Sequence, residues 1–455
     1  MLHYFTDSVL QAPTIGCMLM CFVAALVGTF VVLRGKSLIG EALSHACYPG
    51  VILALLLERC LFPSVQDGFG KMVVALVGAF VSSLLGLYTI EFLERRLRIQ
   101  ADAALSFVLA SFFGIGILAL SLTQTAFPTL YKEIQAYLFG QAATMTAVHI
   151  YLYAILAAIT IAIVIFFFRP FRLVAFDPTF AETIGVSKQK MDTLLFFILV
   201  LALVTGIRSV GVVLLSAALI FPVAIARQLT SHLSFLLLFS GLFGLASGFF
   251  GVFCSHELSL YLSSSSVKAF SFPTGPMIVI VLSMFFVSAL LFSPKSGLTF
   301  RFLRRLFFSF QCQSENLLKM IWKLCSEKNE STFSLPEIEK RNSFHPLYLT
   351  LLVAILKKKG WIREIYLDQF ELTTAGMLWG RKIIRLHRLW ELYLVEHCKV
   401  AKDRVHPSAE EMEHIITEDV EKELTHLLQN PQVDPHAQPI PEKEELFLLG
   451  SARSS

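Results

Sequence analysis

"TIGCMLMCFVAALVGTFVVLRGK", Thr14 to Lys36, decides the fold. From Thr14 to Leu33 there is no charged residue, and Arg34 and Lys36 follow at once. A helix of about 20 apolar residues is long enough to cross the hydrocarbon core of a bilayer, and a basic exit marks the cytoplasmic side. Length and flank together predict a membrane span.

The pattern recurs at Gly40 to Leu57, Met72 to Phe92, Ala103 to Leu122, Val148 to Phe168, Leu194 to Gly206, Val210 to Ala226, Leu233 to Phe253 and Met277 to Phe292. That predicts about nine spans, with Gly206 to Ser209 a minimal break between the sixth and seventh. A 455-residue chain with 55% hydrophobic positions and mean hydropathy +0.67 is too apolar for an ordinary soluble protein. The exits of odd-numbered spans are basic: Arg34 and Lys36, then Arg95, Arg96 and Arg98, then Arg169 and Arg172, then Arg227, then Lys295, Arg301, Arg304 and Arg305. The opposite loops hold only Arg59, Arg208 and Lys268, so the N-terminus is expected outside and the C-terminus in the cytoplasm. The N-terminus lacks the basic region and cleavage site of a signal peptide, so the first span is expected to be retained.

Other chemistries are excluded on composition. The eight cysteines are scattered without a CxxC pair, which argues against a disulfide framework or a thiolate zinc site. "GFGK", Gly68 to Lys71, is followed by Met72 in an expected external loop and makes no phosphate cradle. No ATPase motif is present, so a transport subunit is expected rather than an enzyme.

Within the apolar region, "LIGEALSHACYPG" sets Glu41 and His45 one helical turn apart. A charged group near the bilayer centre costs roughly 2.5 to 3.5 kcal/mol on insertion scales, so this pair should face a polar path or a partner. A carboxylate and an imidazole at that spacing can share a divalent cation; an interfacial Glu41 with a packed His45 is the other reading. "RPFRLVAFDPTFAETIGVSKQK" holds a short amphipathic core, Phe176 to Val186, which reads as a docking helix or as a solvated loop. Pro222 inside a span implies a kink.

After residue 295 the composition becomes that of a soluble domain. Residues 296–313, with "RFLRRLFFSF", form a basic and aromatic linker or an interfacial helix. Residues 314–378 carry three helical patterns and two short β-rich runs, the order of a winged helix-turn-helix. A helical domain is expected over 379–441, followed by a tail, 442–455. In "HPSAEEMEH" the offsets put His406, Glu410, Glu413 and His414 within an arc of about 100°. His387 and Glu391 repeat the i, i+4 spacing on the preceding helix. Two imidazoles and two carboxylates on one stripe suit ferrous iron, manganese or zinc; a solvated charged face is the alternative.

Two families are recognisable in these residues. "LIGEALSHACYPG", "ADAALSFVLASFFGIGI", "FDPTFAETIGV", "VGVVLLSAALIFPVAIAR" and "PTGPMIVIVL" resemble the manganese, zinc and iron permeases of ABC importers, the ABC-3 type, over nearly all of residues 1–295. The resemblance implies an all-α membrane domain working as a dimer or paired permease, with cytoplasmic ATPase subunits and an extracytoplasmic metal-binding protein as partners. It implies ATPase coupling at Phe176, Asp177, Phe180, Ala181 and Gly185, and a transient metal site at Glu41 and His45, where an Asp is usual in place of Glu41.

"LHRLWELYL", "HPSAEEMEH", "EDVEKEL" and "DPHAQPIP" behind a winged helix resemble the diphtheria-toxin-repressor and manganese-regulator family of metal-dependent repressors, over about Glu315 to Pro441. The resemblance implies a dimer on a DNA operator. It implies an activating site at Glu410, Glu413 and His414 and an ancillary site at His387, Glu391 and His406. Glu410 matches the manganese-type members, Asn316 stands where the family uses Met or Asp, and Lys319 stands where manganese-type members place a further acid. DNA contact is expected from Ser343 to Lys359, with His345, Tyr348 and Thr350 facing the groove, Lys357 to Lys359 near phosphates, and Arg363 in the wing. A helix this rich in leucine also admits a protein-contact role. The combined expectation is a divalent-metal permease, iron first and manganese next, possessing its own metal-responsive repressor, releasable by proteolysis; the alternative is a sensing gate that binds no DNA.

Overall fold

An apolar run can enter a bilayer only if its backbone N–H and C=O groups are satisfied within the segment, and the helix does this by itself. The computed structural model describes residues 3–7, 9–61, 68–140, 142, 145–265, 272–294, 297–341, 345–366 and 368–442, and divides into two units, Met1–Phe300 and Arg301–Ser455.

The first unit is all helical: α1 His3–Thr6, α2 Gln11–Leu33, α3 Ser37–Leu61, α4 Gly68–Arg95, α5 Ala101–Ala126, α6 Pro128–Phe139, α7 Ala147–Phe166, α8 Phe168–Phe176, α9 Pro178–Thr183, α10 Lys188–Val210, α11 Val212–Leu229, α12 Leu233–Ser265 and α13 Thr274–Phe292. The expectation of about nine spans meets, among the described residues, eight helices long and apolar enough to cross a membrane, α2, α3, α4, α5, α7, α10, α12 and α13. The remaining apolar helix, α11, is shorter, contains Pro222, and packs against α2, α3, α12 and α13. The break before it falls at Gly211 and not at Gly206 to Ser209, because Gly211 takes φ +93°, a conformation that ends α10 and starts α11.

Two further expectations are corrected. "GFGK" forms the first turn of α4 rather than a loop, with Lys71 Nζ 3.8 Å from Glu133. The amphipathic helix α6 was not expected, because its single charged turn and short length fall below the pattern of a span.

Small residues set the closest helix contacts. A Cβ on Gly50 of α3 would lie 2.1 Å from the carbonyl oxygen of Gly78 on α4, and one on Gly78 2.4 Å from that of Gly50. The two backbones touch directly there, as small-residue packing permits in membrane bundles. Some buried hydroxyls are tied across helices, as where Thr29 of α2 meets Ser240 of α12 at 2.9 Å.

The stretch expected as linker or interfacial helix is helical: it falls in α14, Leu298–Lys328, which from Arg301 onward belongs to the second unit. Its Phe302, Leu303, Leu306 and Phe307 are exposed, whereas Leu317, Leu318, Ile321 and Leu324 enter a core. There follow β1 Thr332–Ser334, α15 Leu335–Arg341, α16 Pro346–Lys358, β2 Ile362–Tyr366 and β3 Gln369–Leu372. The expected two-stranded wing is a three-stranded antiparallel sheet, order β1-β3-β2, because Phe333 of β1 pairs with Phe370 of β3 and brings its ring onto the same core. The helices α17 Thr374–Glu396, α18 His406–Met412 and α19 Glu418–Leu427 complete the unit. Buried Arg385 of α17 joins α19 and the segment after it, donating to Glu421 at 3.0 Å, Thr425 at 3.2 Å and the Pro441 carbonyl at 2.7 Å. Lys268, Lys295, Ser343 and the 443–455 part of the expected tail lie outside the described residues.

Candidate metal centres

In the membrane unit, one turn of α3 places Glu41 and His45 as the sequence spacing requires. His45 is buried, its ring edge-on to Phe113 at 4.7 Å, and its Nδ1 has no hydrogen-bond partner. Glu41 is half-buried, and no described contact joins the two side chains. A buried imidazole nitrogen without a partner is costly, so an unpaired donor or acceptor at this depth fits a site for a passing cation.

The expected coupling segment contains a shorter helix than its sequence suggests. Phe176 ends α8, Asp177 caps α9, and the helix proper is Pro178–Thr183. The Asp177 carboxylate accepts from the Phe180 N–H at 2.9 Å and from the Thr179 hydroxyl at 2.7 Å, which hold its pKa below the usual carboxylate range. Gly185, at φ +85°, closes the helix: its N–H bonds Glu182 O and the Val186 N–H bonds Ala181 O. Ala181 is fully buried, while Phe176 is 66% and Phe180 51% exposed. The end of α8 and the short capped α9 thus each present one aromatic side chain outward.

In the tail, one turn of α17 sets His387 Nε2 3.0 Å from Glu391 Oε1, and His406, first residue of α18, brings Nδ1 against the same oxygen. One donor atom from each residue lies within 4.8 Å of the other two. Glu391 is 1% exposed, and its Oε1 receives no aligned hydrogen bond although both imidazoles are beside it. Burial raises the Glu391 pKa, but His387 and His406 outweigh it and the carboxyl is held low. Burial likewise opposes charge on His387, and the carboxylates of Glu391 and Glu413 outweigh it, so its pKa is raised. Two imidazole nitrogens and a carboxylate oxygen that lacks a donor fit a divalent transition metal.

Glu410, Glu413 and His414 are arranged otherwise. Lys319 Nζ, reaching from α14, donates to Glu413 Oε1 at 3.0 Å and Oε2 at 2.7 Å, and lies 3.1 Å from His387 Nδ1. Glu413 Oε2 is also 2.6 Å from His387 Nδ1. His414 turns toward α14, its Nδ1 2.7 Å from Glu315 Oε2 and its Nε2 3.0 Å from Asn316 Oδ1. Glu410 is exposed, and among the described residues these three do not gather their ligand atoms at one point. The donor set does not fit a metal as it stands, because an ammonium already occupies the carboxylate. Glu315 is the residue sequence reasoning missed: buried, paired with His414 and Gln311, it has a lowered pKa despite the opposing effect of burial.

On the winged helix, Leu349, Leu352, Val353 and Leu356 of α16 are buried, and His345 and Thr350 are exposed. Tyr348, expected to face the groove, is half-buried with its ring 5.9 Å from that of Phe310. Lys357 pairs with Glu364 of β2, Lys359 lies 4.3 Å over the Trp361 ring, and Lys358 and Arg363 are exposed. Leu347 is 78% and Leu351 46% exposed on the same face as Thr350.

Comparison with known proteins agrees with this division. Residues 6–293 match the ABC 3 transport family, and residues 373–442 match the metal-binding and dimerisation domain of the iron-dependent repressors. The chain is 33% identical over 445 residues to a Chlamydia trachomatis protein named "Probable metal transport system membrane protein", covering 96% of this chain and 97% of that one. It is 35% identical over 446 residues to a similarly named protein of Chlamydia pneumoniae, covering 97% and 98%. Among solved structures, PsaBC from Streptococcus pneumoniae aligns with a TM-score of 0.54 at 26% identity, over 65% of this chain and 95% of that one.

Proposed function

The chain belongs to the ABC 3 transport family and carries an iron-dependent-repressor domain behind its membrane bundle, and from that premise we propose that it imports a divalent transition metal and responds to the same metal. The cargo and the sensed ion are assigned to ferrous iron first, then manganese, then zinc. One observation carries the reading: His387, Glu391 and His406 converge, with a buried carboxylate oxygen awaiting a cation, in a chain whose first unit is a metal permease.

Glu41 and His45 hold the ion in passage. Phe176, exposed at the end of α8, and Phe180, exposed on the capped α9, suit the groove of a cytoplasmic ATPase subunit, and Asp177, Ala181 and Gly185 shape α9. The chain supplies no ATPase motif of its own and takes its energy from that partner. A metal-binding protein delivers the ion from outside to a permease dimer or pair. The basic loops favour an external N-terminus and a cytoplasmic tail in the cell membrane, and the exposed aromatic and basic start of α14 suits contact with lipid.

The tail acts, as a dimer, on an operator near the uptake genes, with His345, Thr350, Lys358 and Arg363 the exposed contacts, Tyr348 and Lys357 behind them. Release by proteolysis in the 296–313 region would free it from the membrane; a C-terminal tag that reveals only full-length protein on immunoblots excludes this. DNA retention by the full-length chain in detergent, with and without ferrous iron or manganese, tests the repressor reading, which fails if no promoter fragment is held under either metal.

The exposed Leu347 and Leu351 favour a second reading, in which the winged helix contacts protein and gates transport directly. That reading expects uptake to change within minutes of metal excess when the tail is deleted. An unchanged rate rejects it.

A further inference from the structure

The site expected to activate the repressor contains a cation supplied by the chain itself. Lys319 Nζ stands within hydrogen-bond distance of both Glu413 oxygens and of His387 Nδ1, and its side chain is only 10% exposed. Glu413 has a fully buried side chain. A buried carboxylate of this kind must be paired, and an ammonium bound to both oxygens pairs it fully.

The rest of the set is also engaged. His414 has one ring nitrogen beside Glu315 Oε2 and the other beside Asn316 Oδ1, both on α14, so each nitrogen already has a polar neighbour there. Glu410 faces solvent. The contrast with the neighbouring centre is sharp in chemistry: Glu391 Oε1 lacks a donor, whereas each Glu413 oxygen has one.

We propose that the Lys319 ammonium replaces the second metal ion, so that the tail binds one regulatory ion, at His387, Glu391 and His406, and none at Glu413 and His414. Lys319, Glu315 and Asn316 all lie on α14, the first helix of the winged-helix core, while Glu413 and His414 follow α18. These contacts fasten α14 to the metal-binding helices in the absence of any metal. Ion binding then acts through the α17–α18 centre alone. The inference rests on the reading of the tail as metal-responsive.

Manganese bound per full-length chain in detergent, counted by equilibrium dialysis, tests it. His414→Ala should leave the count unchanged, Lys319→Glu should bind one more ion than the wild type, and Lys319→Glu with His414→Ala should lose that gain. Loss of an ion from His414→Ala alone, or no gain in Lys319→Glu, overturns the proposal. If Lys319→Glu fails to fold, Lys319→Met serves: in a Glu391→Ala background, manganese should raise the unfolding temperature of the Lys319→Met chain by several degrees and leave the Lys319 chain unmoved. Equal shifts overturn the proposal. The four tryptophans, Trp322, Trp361, Trp379 and Trp390, all belong to the second unit, so their fluorescence follows the tail within the whole protein. A wild-type count that Glu391→Ala does not lower counts against the metal-responsive reading, while the Lys319 arms still judge this inference.

Discussion

Glu391 Oε1 lies 3.0 Å from His387 Nε2 yet receives no aligned hydrogen bond from it. His406 Nδ1 stands against the same oxygen, and the three ligand atoms lie within 4.8 Å of one another, close enough to share one ion. Glu391→Gln keeps the volume and removes the charge. Manganese affinity of the tail is expected to fall by about tenfold or more, as competition titration would read; an unchanged affinity places the ion elsewhere.

His45 should matter to uptake more than its packing does. His45→Ala removes a buried imidazole packed on Phe113 and leaves a cavity, so uptake is compared per folded chain, where it is expected to drop by at least about tenfold. Glu41→Gln should lower uptake as well. Normal transport by both variants returns the pair to packing roles.

The α9 helix depends on its cap. Asp177→Asn retains a good capping group and should transport normally, whereas Asp177→Ala frees the Phe180 N–H and should reduce ATP-driven uptake. The pKa of Asp177 is depressed, so the cap's contribution is present above the ordinary carboxyl value of about 3.9 and is lost only as pH falls through the lower folded value. Coupling should therefore show no dependence on this group between neutral pH and about pH 5. Phe180→Ala, at an exposed site, should cut coupling without altering expression of the chain.

If the tail holds DNA, Lys358→Ala and Arg363→Ala should each lower the salt dependence of binding by about one ion, with similar effects on every sequence. Lys357→Ala should do less, since Lys357 is already paired with Glu364. A salt slope unchanged in all three variants favours the protein-contact reading.

Much of this was legible in the sequence, for identifiable reasons. Membrane helices announce themselves because the bilayer tolerates few alternatives, and the runs from Thr14 to Leu33 and from Leu233 to Phe253 lie inside α2 and α12. The Gly211 break was misplaced because Gly206 and Gly211 both interrupt one apolar run, and only backbone conformation tells them apart. Spacing showed the His387 and Glu391 pair but grouped His406 with Glu410, Glu413 and His414; only the family resemblance put His406 with His387 and Glu391, because a contact between two helices leaves no period in the sequence. Lys319 was visible as a base standing where an acid was expected, but its reach to Glu413 spans 94 positions and depends on how α14 packs. Glu315 left a fainter signal, an acid beside the expected ligand position Asn316.

The Gly50–Gly78 seam has a mechanical consequence. With no Cβ on either glycine the two backbones meet directly, with the Ser82 and Ala54 Cβ atoms crowding the same point, so a shift of one backbone at the seam presses on the other. If Glu41 and His45 hold the ion in passage as proposed, the helix that bears them is expected to move together with its neighbour, so that two helices rather than one respond to loading.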